Sequence, residues 1–253
     1  MAEEGKIRRE AATAAPGALG YRPLYRQAKE ILLKRLAEGV WQPGQALPSE
    51  PELASDLGVS PGTVRKALDE MTAENLLVRR QGRGTFVARH DEARILFQFF
   101  KLVSDAGERR FPESRLLRLE AAKADAAAAG RLRIPEGAPV AAIERVRLLE
   151  DCPRVHEWIV VPGSLFPGLA SRADLPNNLY ELYASAYGVT IARATERLKA
   201  VAAGPRQAEL LETEPGHPLL AIDRLAFAVD GTPAEWRLSL CRTDAFHYAS
   251  ELR

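Results

Sequence analysis

The sequence predicts a two-domain α+β protein, in which a small helical domain ending in a basic β-hairpin precedes a larger antiparallel sheet with helices. Three observations point to this class. The 253 residues are enough for two hydrophobic cores. Apolar residues recur at helical spacing in the first part of the chain, and strand-like and helix-like segments alternate in the rest. A short turn at Asp230 and Gly231 joins the last two strand-like segments, which favours antiparallel pairing.

The composition is that of an ordinary globular protein, with 46% hydrophobic and 27% charged residues. No apolar run reaches the roughly 18 residues that a membrane-spanning helix needs, so no membrane partner is expected. Residues 1–20 read as a flexible tail without an export signal, which predicts a cytoplasmic, nucleoid-associated protein. Cys152, Cys241 and the four His residues lack metal-ligand spacing, so we expect no metal and no cofactor.

The first element is a predicted helix from Pro23 to Glu38, which Gly39 ends. Its predicted apolar face consists of Leu24, Ala28, Ile31, Leu32 and Leu36.

A second, short helix begins after Ser49, because Ser49 and Glu52 have the spacing of a capping box. Pro51 falls in its first turn, where a missing N–H costs little.

Ser60 is expected to cap a third helix that starts at Pro61. The spacing of its apolar residues predicts a buried face made of Val64, Ala67, Leu68 and Met71. The same spacing leaves a polar face in solvent that consists of Thr63, Arg65, Lys66 and Asp69.

A basic hairpin follows the third helix. The stretch "LLVRRQGRGTFVA" predicts two short strands around Gln81, Gly82, Arg83 and Gly84. Residues 75–90 contain Arg79, Arg80, Arg83 and Arg89 and no carboxylate, a concentration of charge that suits phosphate contact. The order of helices and hairpin is that of a winged helix-turn-helix. The alternative is a small helical domain with a solvated basic loop, which the absence of acidic residues from the hairpin disfavours.

Residues 22–89 resemble the DNA-binding domain of the GntR family of bacterial transcription regulators, through "LPSEPELASDLGVSPGTVRKALDEMTAENLLVRRQGRGTFV". The resemblance implies that the third helix enters a major groove and the wing reaches the neighbouring minor groove. The DNA-contacting residues that it implies are Ser49, Ser60, Thr63, Arg65, Lys66, Arg79, Arg80, Gln81, Gly82, Arg83 and Thr85. Many members carry arginines where this chain has Pro51 and Pro61, so a different operator with more dependence on the wing is expected.

In the second domain, Arg145 and Arg147 lie two apart in the predicted strand "PVAAIERVRLLE" and therefore share a face. Glu157 lies in the next predicted strand, "RVHEWIVVP", among apolar residues. Charges in such surroundings need partners. Two interpretations stay open: Arg145 and Glu157 satisfy each other as cross-strand neighbours, or the three residues form a binding cluster.

Residues 96–250 are similar to the UTRA ligand-sensing domain of the HutC subfamily of GntR regulators, which has the chorismate-lyase-like fold. The segments that carry the similarity are "RVRLLEDCPRVHEWIVVP", "LYELYASAYGV" and "LAIDRLAFAVDGTPAEWRLSLCRTD". The resemblance implies an effector site made of Arg145, Arg147, Glu157, Asn178, Tyr180 and Glu235. The arginines would grip a carboxylate or phosphate of a small anionic effector.

Two segments differ from members that bind sugar phosphates. Asn177 and Asn178 stand where those members have a serine, and Gln98, Phe99 and Phe100 replace a hydroxyl-bearing segment. A bulkier, more aromatic pocket favours a carboxylate over a sugar phosphate.

Together these features predict a homodimeric transcription regulator that binds double-stranded operator DNA under the control of an effector, with repression the expected mode. The predicted boundaries are a tail at 1–20, a DNA-binding domain at 21–89, a linker at 90–95 and an effector-binding and dimerisation domain at 96–253. Two alternatives are a lyase-like enzyme and a constitutive DNA-binding protein. Ser164, His156 and Asp174 are scattered and do not form a catalytic constellation, so we expect no enzyme.

Overall fold

The computed structural model describes residues 23–74, 76–88, 99–107 and 111–250. The predicted tail at 1–20 and linker at 90–95 lie outside these ranges, as do Arg89 and Gln98.

The first domain is a helical domain with a hairpin, as predicted. Its elements are α1 (Leu24–Ala37), α2 (Glu50–Leu57), α3 (Pro61–Ala73), β1 (Leu77–Arg80) and β2 (Gly84–Val87). Ser49 and Glu52 form the predicted capping box, and the Ser60 side chain accepts a hydrogen bond from the Thr63 N–H. Gly58 ends α2 in the left-handed conformation, at a φ of 65°. The α2–turn–α3 geometry was therefore specified by local sequence.

The predicted apolar face of α1 was partly wrong. Ala28, Leu32 and Leu36 are buried, but Leu24 and Ile31 are 47% and 44% exposed. Residues four apart form a row along a helix. The row of Ala28, Leu32 and Leu36 packs against the rest of the first core. Leu24 is the first residue of α1, at the end of that row, and Ile31 lies to one side of it, and both stay exposed.

The second domain is built on a six-stranded antiparallel sheet with the order β4-β5-β6-β9-β8-β7. Its strands are β4 (Glu113–Lys123), β5 (Pro139–Leu149), β6 (Cys152–Pro162), β7 (Ile191–Ala202), β8 (Pro218–Ala228) and β9 (Pro233–Arg242). Its helices are α4 (Ala126–Leu132), α5 (Leu179–Tyr187) and α6 (Pro205–Leu210), with a short 3-10 turn at Leu169–Ser171. The β8–β9 connection is the predicted tight turn, with Gly231 at a φ of 85°.

Within the described residues, the apolar segment "ILFQFFKLV" reaches a strand only at its last two residues. Only Leu102–Ser104 (β3) is a strand, and it pairs with Phe246–Tyr248 (β10). Phe99 and Phe100 precede it as irregular chain, and residues 95–98 are not described.

The two domains are in contact. Val229, in the β8–β9 turn, belongs to the same buried cluster as the core of the helical domain, and Ala192 of β7 packs against that cluster. No helix in the described ranges has the length and apolar character needed to cross a bilayer.

Candidate nucleic-acid interface and ligand pocket

The first candidate site is the surface formed by the α3 N-terminus and the hairpin. Ser60 Oγ lies 2.9 Å from Thr63 Oγ1 and accepts a hydrogen bond from the Thr63 N–H at 3.2 Å. Ser49 Oγ donates to Glu52 Oε2 at 2.7 Å, and this hydrogen bond lowers the pKa of Glu52. Both serines thus act as helix caps. The first turns of α2 and α3 lie at the surface.

Two of the predicted DNA-contacting arginines are held by carboxylates. Glu50 accepts from Arg65 at 2.8 Å and lies 3.4 Å from Arg79, which also pairs with Asp69 at 2.5 Å. The Glu50 hydrogen bond raises the pKa of Arg65. This network ties α2, α3 and β1 together and fixes the direction of two exposed guanidinium groups.

The remaining predicted cations have no carboxylate partner among the described residues. The Lys66 ammonium lies 4.0 Å from the centre of the Tyr25 ring, and the Arg80 guanidinium lies 4.7 Å from that of Phe86. Arg83 is exposed in the turn beside Gly82, whose φ is 69°. Lys66, Arg80 and Arg83 are therefore the cations most available for phosphate contact.

Gln81 and Thr85 flank the tip of the hairpin. Gln81 is exposed, whereas Thr85 is half-buried and its carbonyl accepts the Leu47 N–H at 2.8 Å. This bond anchors β2 to the chain before α2. The wing is thereby fixed relative to the helices.

The second candidate site is a pocket over one face of the sheet. It is bounded by β5, β6, β8 and β9, by residues 99–102 and by residues 177–180 at the start of α5. Arg145, Arg147, Glu157, Asn178 and Tyr180 all line it. Its free volume is about 40 Å³, against roughly 300–1,000 Å³ for typical ligand sites. Its own side chains therefore nearly fill it.

Arg145 and Glu157 are directly opposite each other on β5 and β6. Arg145 Nε donates to Glu157 Oε2 at 2.6 Å, and both side chains are 3% exposed. The cross-strand interpretation of this pair is therefore confirmed. Burial alone would raise the pKa of Glu157, but Arg145, Arg237 and Arg147 together hold it well below its usual range.

Arg147 is less well satisfied than Arg145. Its Nη2 donates to the Pro112 carbonyl at 3.2 Å and its Nη1 is 3.8 Å from Glu157, but its buried Nε has no hydrogen-bond partner. The rings of Phe100 and Phe111 lie 5.7 and 5.5 Å from its guanidinium carbon. Burial lowers the pKa of Arg147 well below its usual value.

The sequence-based prediction missed two buried arginines of the pocket, Arg224 and Arg237. They lie opposite each other on β8 and β9, and both line the pocket. Arg237 binds Glu235 through two nitrogens, at 3.0 and 2.8 Å, and Arg224 binds Glu196 of β7. The even spacing of Arg224 with Ile222 and Ala226 in "LAIDRLAFAV" is a signal that could have revealed it, whereas Arg237 alternates with the polar residues Glu235 and Ser239.

Glu235 lies behind the pocket wall and is fully buried. It accepts hydrogen bonds from the Tyr180 and Tyr183 hydroxyls at 3.1 and 3.0 Å, in addition to those from Arg237. Burial and the nearby Glu235 carboxylate raise the pKa of Tyr180 to about 12. Glu235 thus orients Tyr180 and Arg237.

The asparagines at the start of α5 also have defined partners. Asn178 caps α5, and its side chain accepts the Glu181 N–H at 3.1 Å. Asn177 accepts from Ser114 Oγ and donates to the Pro112 carbonyl, both at 2.7 Å. Asn177 and Arg147 therefore share the Pro112 carbonyl at one end of the pocket.

The buried charges around the pocket do not balance. The guanidinium groups of Arg145, Arg147, Arg224 and Arg237 face only three carboxylates, those of Glu157, Glu196 and Glu235. One positive charge is left over within this cluster of arginines and glutamates. The excess lies nearest Arg147, since each of the other three guanidinium groups has a carboxylate within 3.0 Å.

The residues considered for catalysis do not come together. His156 is fully buried, and its Nε2 lies 2.8 Å from Glu144 Oε1, which Arg206 also binds. Among the described residues, no hydrogen bond joins His156 to Ser164 or Asp174. Burial lowers the pKa of His156.

Comparison with known proteins identifies both domains. A family model described as bacterial regulatory proteins, gntR family, matches residues 24–87, and the UTRA domain model matches residues 107–247. The chain is 32% identical over 91% of its length to the HTH-type transcriptional repressor NagR of Bacillus subtilis, covering 96% of that protein. It is 31% identical over 85% of its length to the histidine utilization repressor of Klebsiella aerogenes, covering 89% of that protein.

A solved structure agrees with these matches. The ligand-binding domain of a GntR-family transcriptional regulator from Bordetella bronchiseptica is 36% identical and has a TM-score of 0.56, over 62% of this chain and 98% of that one. The chain therefore belongs to the GntR family of bacterial regulatory proteins and to its HutC subfamily, with a winged helix-turn-helix domain followed by a UTRA domain.

Proposed function

We propose that the protein is a transcriptional repressor whose affinity for operator DNA is controlled by a small carboxylate metabolite in the pocket of the second domain. The relatives named above are repressors, which supports the coarse assignment. The finer assignment rests on one observation, the buried Nε of Arg147 without a partner. A buried donor that is left unsatisfied costs about 1–3 kcal/mol, so a ligand that accepts from it gains that free energy.

The surroundings of Arg147 also support a particular class of effector. Its guanidinium lies over two aromatic rings, and a planar fork beside rings suits a carboxylate attached to a flat or apolar body. A phosphate dianion would bring more negative charge than the single excess positive charge of the arginine and glutamate cluster balances. We therefore favour a monocarboxylate over a sugar phosphate.

The DNA-binding role is proposed for the α3 and wing surface. Thr63 and Arg65 would reach base edges, Lys66, Arg80 and Arg83 would bind phosphates, and Gly82 would allow close approach at the minor groove. The proposed domain boundaries remain 21–89, 90–95 and 96–253. The protein would act as a homodimer on two half-sites.

The first experiment identifies the operator and tests the effector class on the full chain. Duplexes bound by the protein are selected from fragments of the source genome, and fluorescence anisotropy then measures affinity for the best duplex. Benzoate serves as the carboxylate probe, benzamide as its neutral analogue and glucose 6-phosphate as the phosphate probe. We expect benzoate alone to change the operator affinity. An equal response to benzamide, or a response to glucose 6-phosphate only, would contradict the carboxylate assignment.

A variant at Arg147 tests where the probe binds. Arg147→Gln should lower benzoate affinity by about tenfold or more, because a charge-assisted hydrogen bond contributes about 1.5–3 kcal/mol. Arg118→Gln is the matched control, since Arg118 lies on edge strand β4 and is 58% exposed. Calorimetric titration with benzoate gives both affinities. Equal affinities in the two variants would place the carboxylate elsewhere.

A further inference from the structure

One row of side chains crosses the floor of the ligand pocket from a charged residue to apolar ones. On the sheet, Arg147 of β5 faces Val155 of β6, and Val155 faces Cys241 of β9. All three line the pocket, and Val155 and Cys241 are each 1% exposed. Because neighbouring strands lie about 4.8 Å apart, Cys241 stands about 10 Å from Arg147 across the sheet. We call Val155 and Cys241 the apolar lane.

The apolar lane belongs to a buried cluster that begins beside the guanidinium of Arg147. Val155 and Cys241 pack in this cluster with Leu102, and Phe100 packs against it. The Phe100 ring also lies 5.7 Å from the Arg147 guanidinium carbon. Burial raises the pKa of the Cys241 thiol, so the thiol stays neutral and packs as a small apolar group. The lane therefore offers apolar contact from the guanidinium to the thiol, and its side chains offer no strong hydrogen-bond partner to a hydroxyl.

The neighbouring row of the pocket floor has a different character. There Arg145 faces Glu157, and Glu157 faces Ser239. Arg145 Nε and Ser239 Oγ both donate to the Glu157 carboxylate, at 2.6 and 3.2 Å. A ligand body over this row would disturb buried hydrogen bonds that are already made, whereas over the apolar lane it disturbs no such bond. The lane is therefore the favourable path for an apolar body that extends from Arg147.

We infer that the effector lies along the apolar lane, with its carboxylate at Arg147 and the far end of its apolar body against Cys241, so that Cys241 limits the length of ligand that the pocket accepts. This inference rests on the proposed function, since it starts from a carboxylate at Arg147. It narrows the effector class to carboxylates whose body carries no hydroxyl group along the lane, because a buried hydroxyl without a partner is costly.

The size of the pocket makes the far end of the lane decisive. Its free volume is about 40 Å³, so side chains must shift to admit any ligand, and little room remains beyond the ligand's end. In closely packed surroundings the addition or removal of one methyl group is felt. The side chain at position 241 should therefore discriminate between ligands that differ by one methyl group at that end.

The test measures ligand length with benzoate, 4-methylbenzoate and 2-methylbenzoate, by calorimetric titration of the full chain. In Cys241→Ala the far end of the lane gains the space of the sulfur atom. The affinity for 4-methylbenzoate relative to benzoate should then rise by about fourfold, the equivalent of one buried methyl group. The relative affinity for 2-methylbenzoate should not change, because its methyl group lies beside the carboxylate and away from position 241.

Cys152→Ala is the matched control, because Cys152 is exposed at the start of β6 and does not line the pocket. It should leave all three affinities unchanged. If Cys241→Ala does not fold, Cys241→Val undergoes the same test with the opposite expectation. Its larger side chain should lower the relative affinity for 4-methylbenzoate and leave that for 2-methylbenzoate unchanged.

The outcomes separate this inference from the proposed function. If benzoate binds and its affinity depends on Arg147, an unchanged relative affinity for 4-methylbenzoate in a folded variant at Cys241 overturns the inference alone. An equal change for both methyl positions also overturns it, because it would reflect a general loosening of the pocket.

If benzoate does not bind the unaltered protein, the carboxylate assignment fails, and p-xylene then tests the apolar lane without a charged group. A larger rise in melting temperature with p-xylene in Cys241→Ala than in the unaltered protein supports an apolar path that ends at Cys241. An equal rise, or none in either protein, overturns it.

Discussion

The wing surface and the ligand pocket both depend on arginines paired with carboxylates, but the pairs lie in opposite surroundings. Arg79 and its partner Asp69 are 41% and 58% exposed, whereas Arg145 and Glu157 are each 3% exposed. An exposed pair contributes about 0–1 kcal/mol, while removing one partner of a buried pair costs about 3–5 kcal/mol. The exposed arginines can therefore exchange carboxylates for phosphates at little cost, and the buried ones keep their partners and hold a shape.

The largest expected effect follows from breaking the buried cluster. Glu157→Gln should lower the free energy of unfolding by about 3–5 kcal/mol, because Arg145 and Arg237 lose the carboxylate that they share. Urea denaturation at pH 7 measures this. Glu120→Gln is the exposed control. Because Glu120 pairs with Arg118 at the surface, this substitution should lower the free energy of unfolding by at most about 1 kcal/mol. Similar losses of unfolding free energy in both variants would show that buried and exposed ion pairs contribute alike in this protein.

The Glu157→Gln variant also tests how the stability of the folded protein depends on pH. The pKa of Glu157 is lower in the folded protein than its unfolded value of about 4.3, so its contribution is complete above that pH and is lost as the pH falls toward the folded value. The difference in unfolding free energy between the unaltered protein and Glu157→Gln should therefore narrow from pH 5 to pH 3. Urea denaturation at each pH gives the difference. A constant difference would mean that folding does not shift the pKa of Glu157.

At the DNA surface, Arg65→Ala should weaken binding to the selected operator by roughly 5- to 150-fold and should relax specificity at one base step. The loss on random duplexes should be smaller, because a base contact carries the sequence preference. Anisotropy titrations with operator variants changed one base pair at a time measure both. Equal losses on operator and random DNA would reassign Arg65 to phosphate contact.

The smallest expected effect is that of Arg80→Ala. It should weaken operator and random duplexes alike and lower the slope of log affinity against log salt by about one, since one phosphate contact is lost. Arg115→Ala, an exposed change on the edge strand β4, is the control and should leave the slope unchanged. A sequence-dependent loss for Arg80 would show that the wing reads bases.

Much of the fold could be predicted because its signals are local. The caps at Ser49 and Ser60, the glycine that ends α2 and the Asp230–Gly231 turn each act within a few residues. The apolar face of α1 was harder, since which of its leucines is buried depends on how the helix packs against α3. Leu24 and Ile31 have suitable spacing but no partner surface.

The candidate pocket could be predicted only in part for the same reason. Arg145, Arg147 and Glu157 stood out because they are charges in apolar strands, and a hairpin brings them together. Arg224 carries the same signal, but the role of Arg237 depends on β9 lying beside β6, which brings Arg237 within 3.3 Å of Glu157 from 80 residues away.

The sequence by itself determined the class of fold, the helix boundaries of the first domain, the basic wing and the paired arginines of β5. Each of these features depends on the spacing of residues along the chain or on a few adjacent residues. Only the tertiary structure decided which arginines stay exposed and which are buried, that Arg147 alone among the four keeps an unsatisfied donor, and that the pocket is nearly filled by its own side chains. Burial, pairing and free volume are properties of surfaces brought together from distant parts of the chain. No local pattern encodes them.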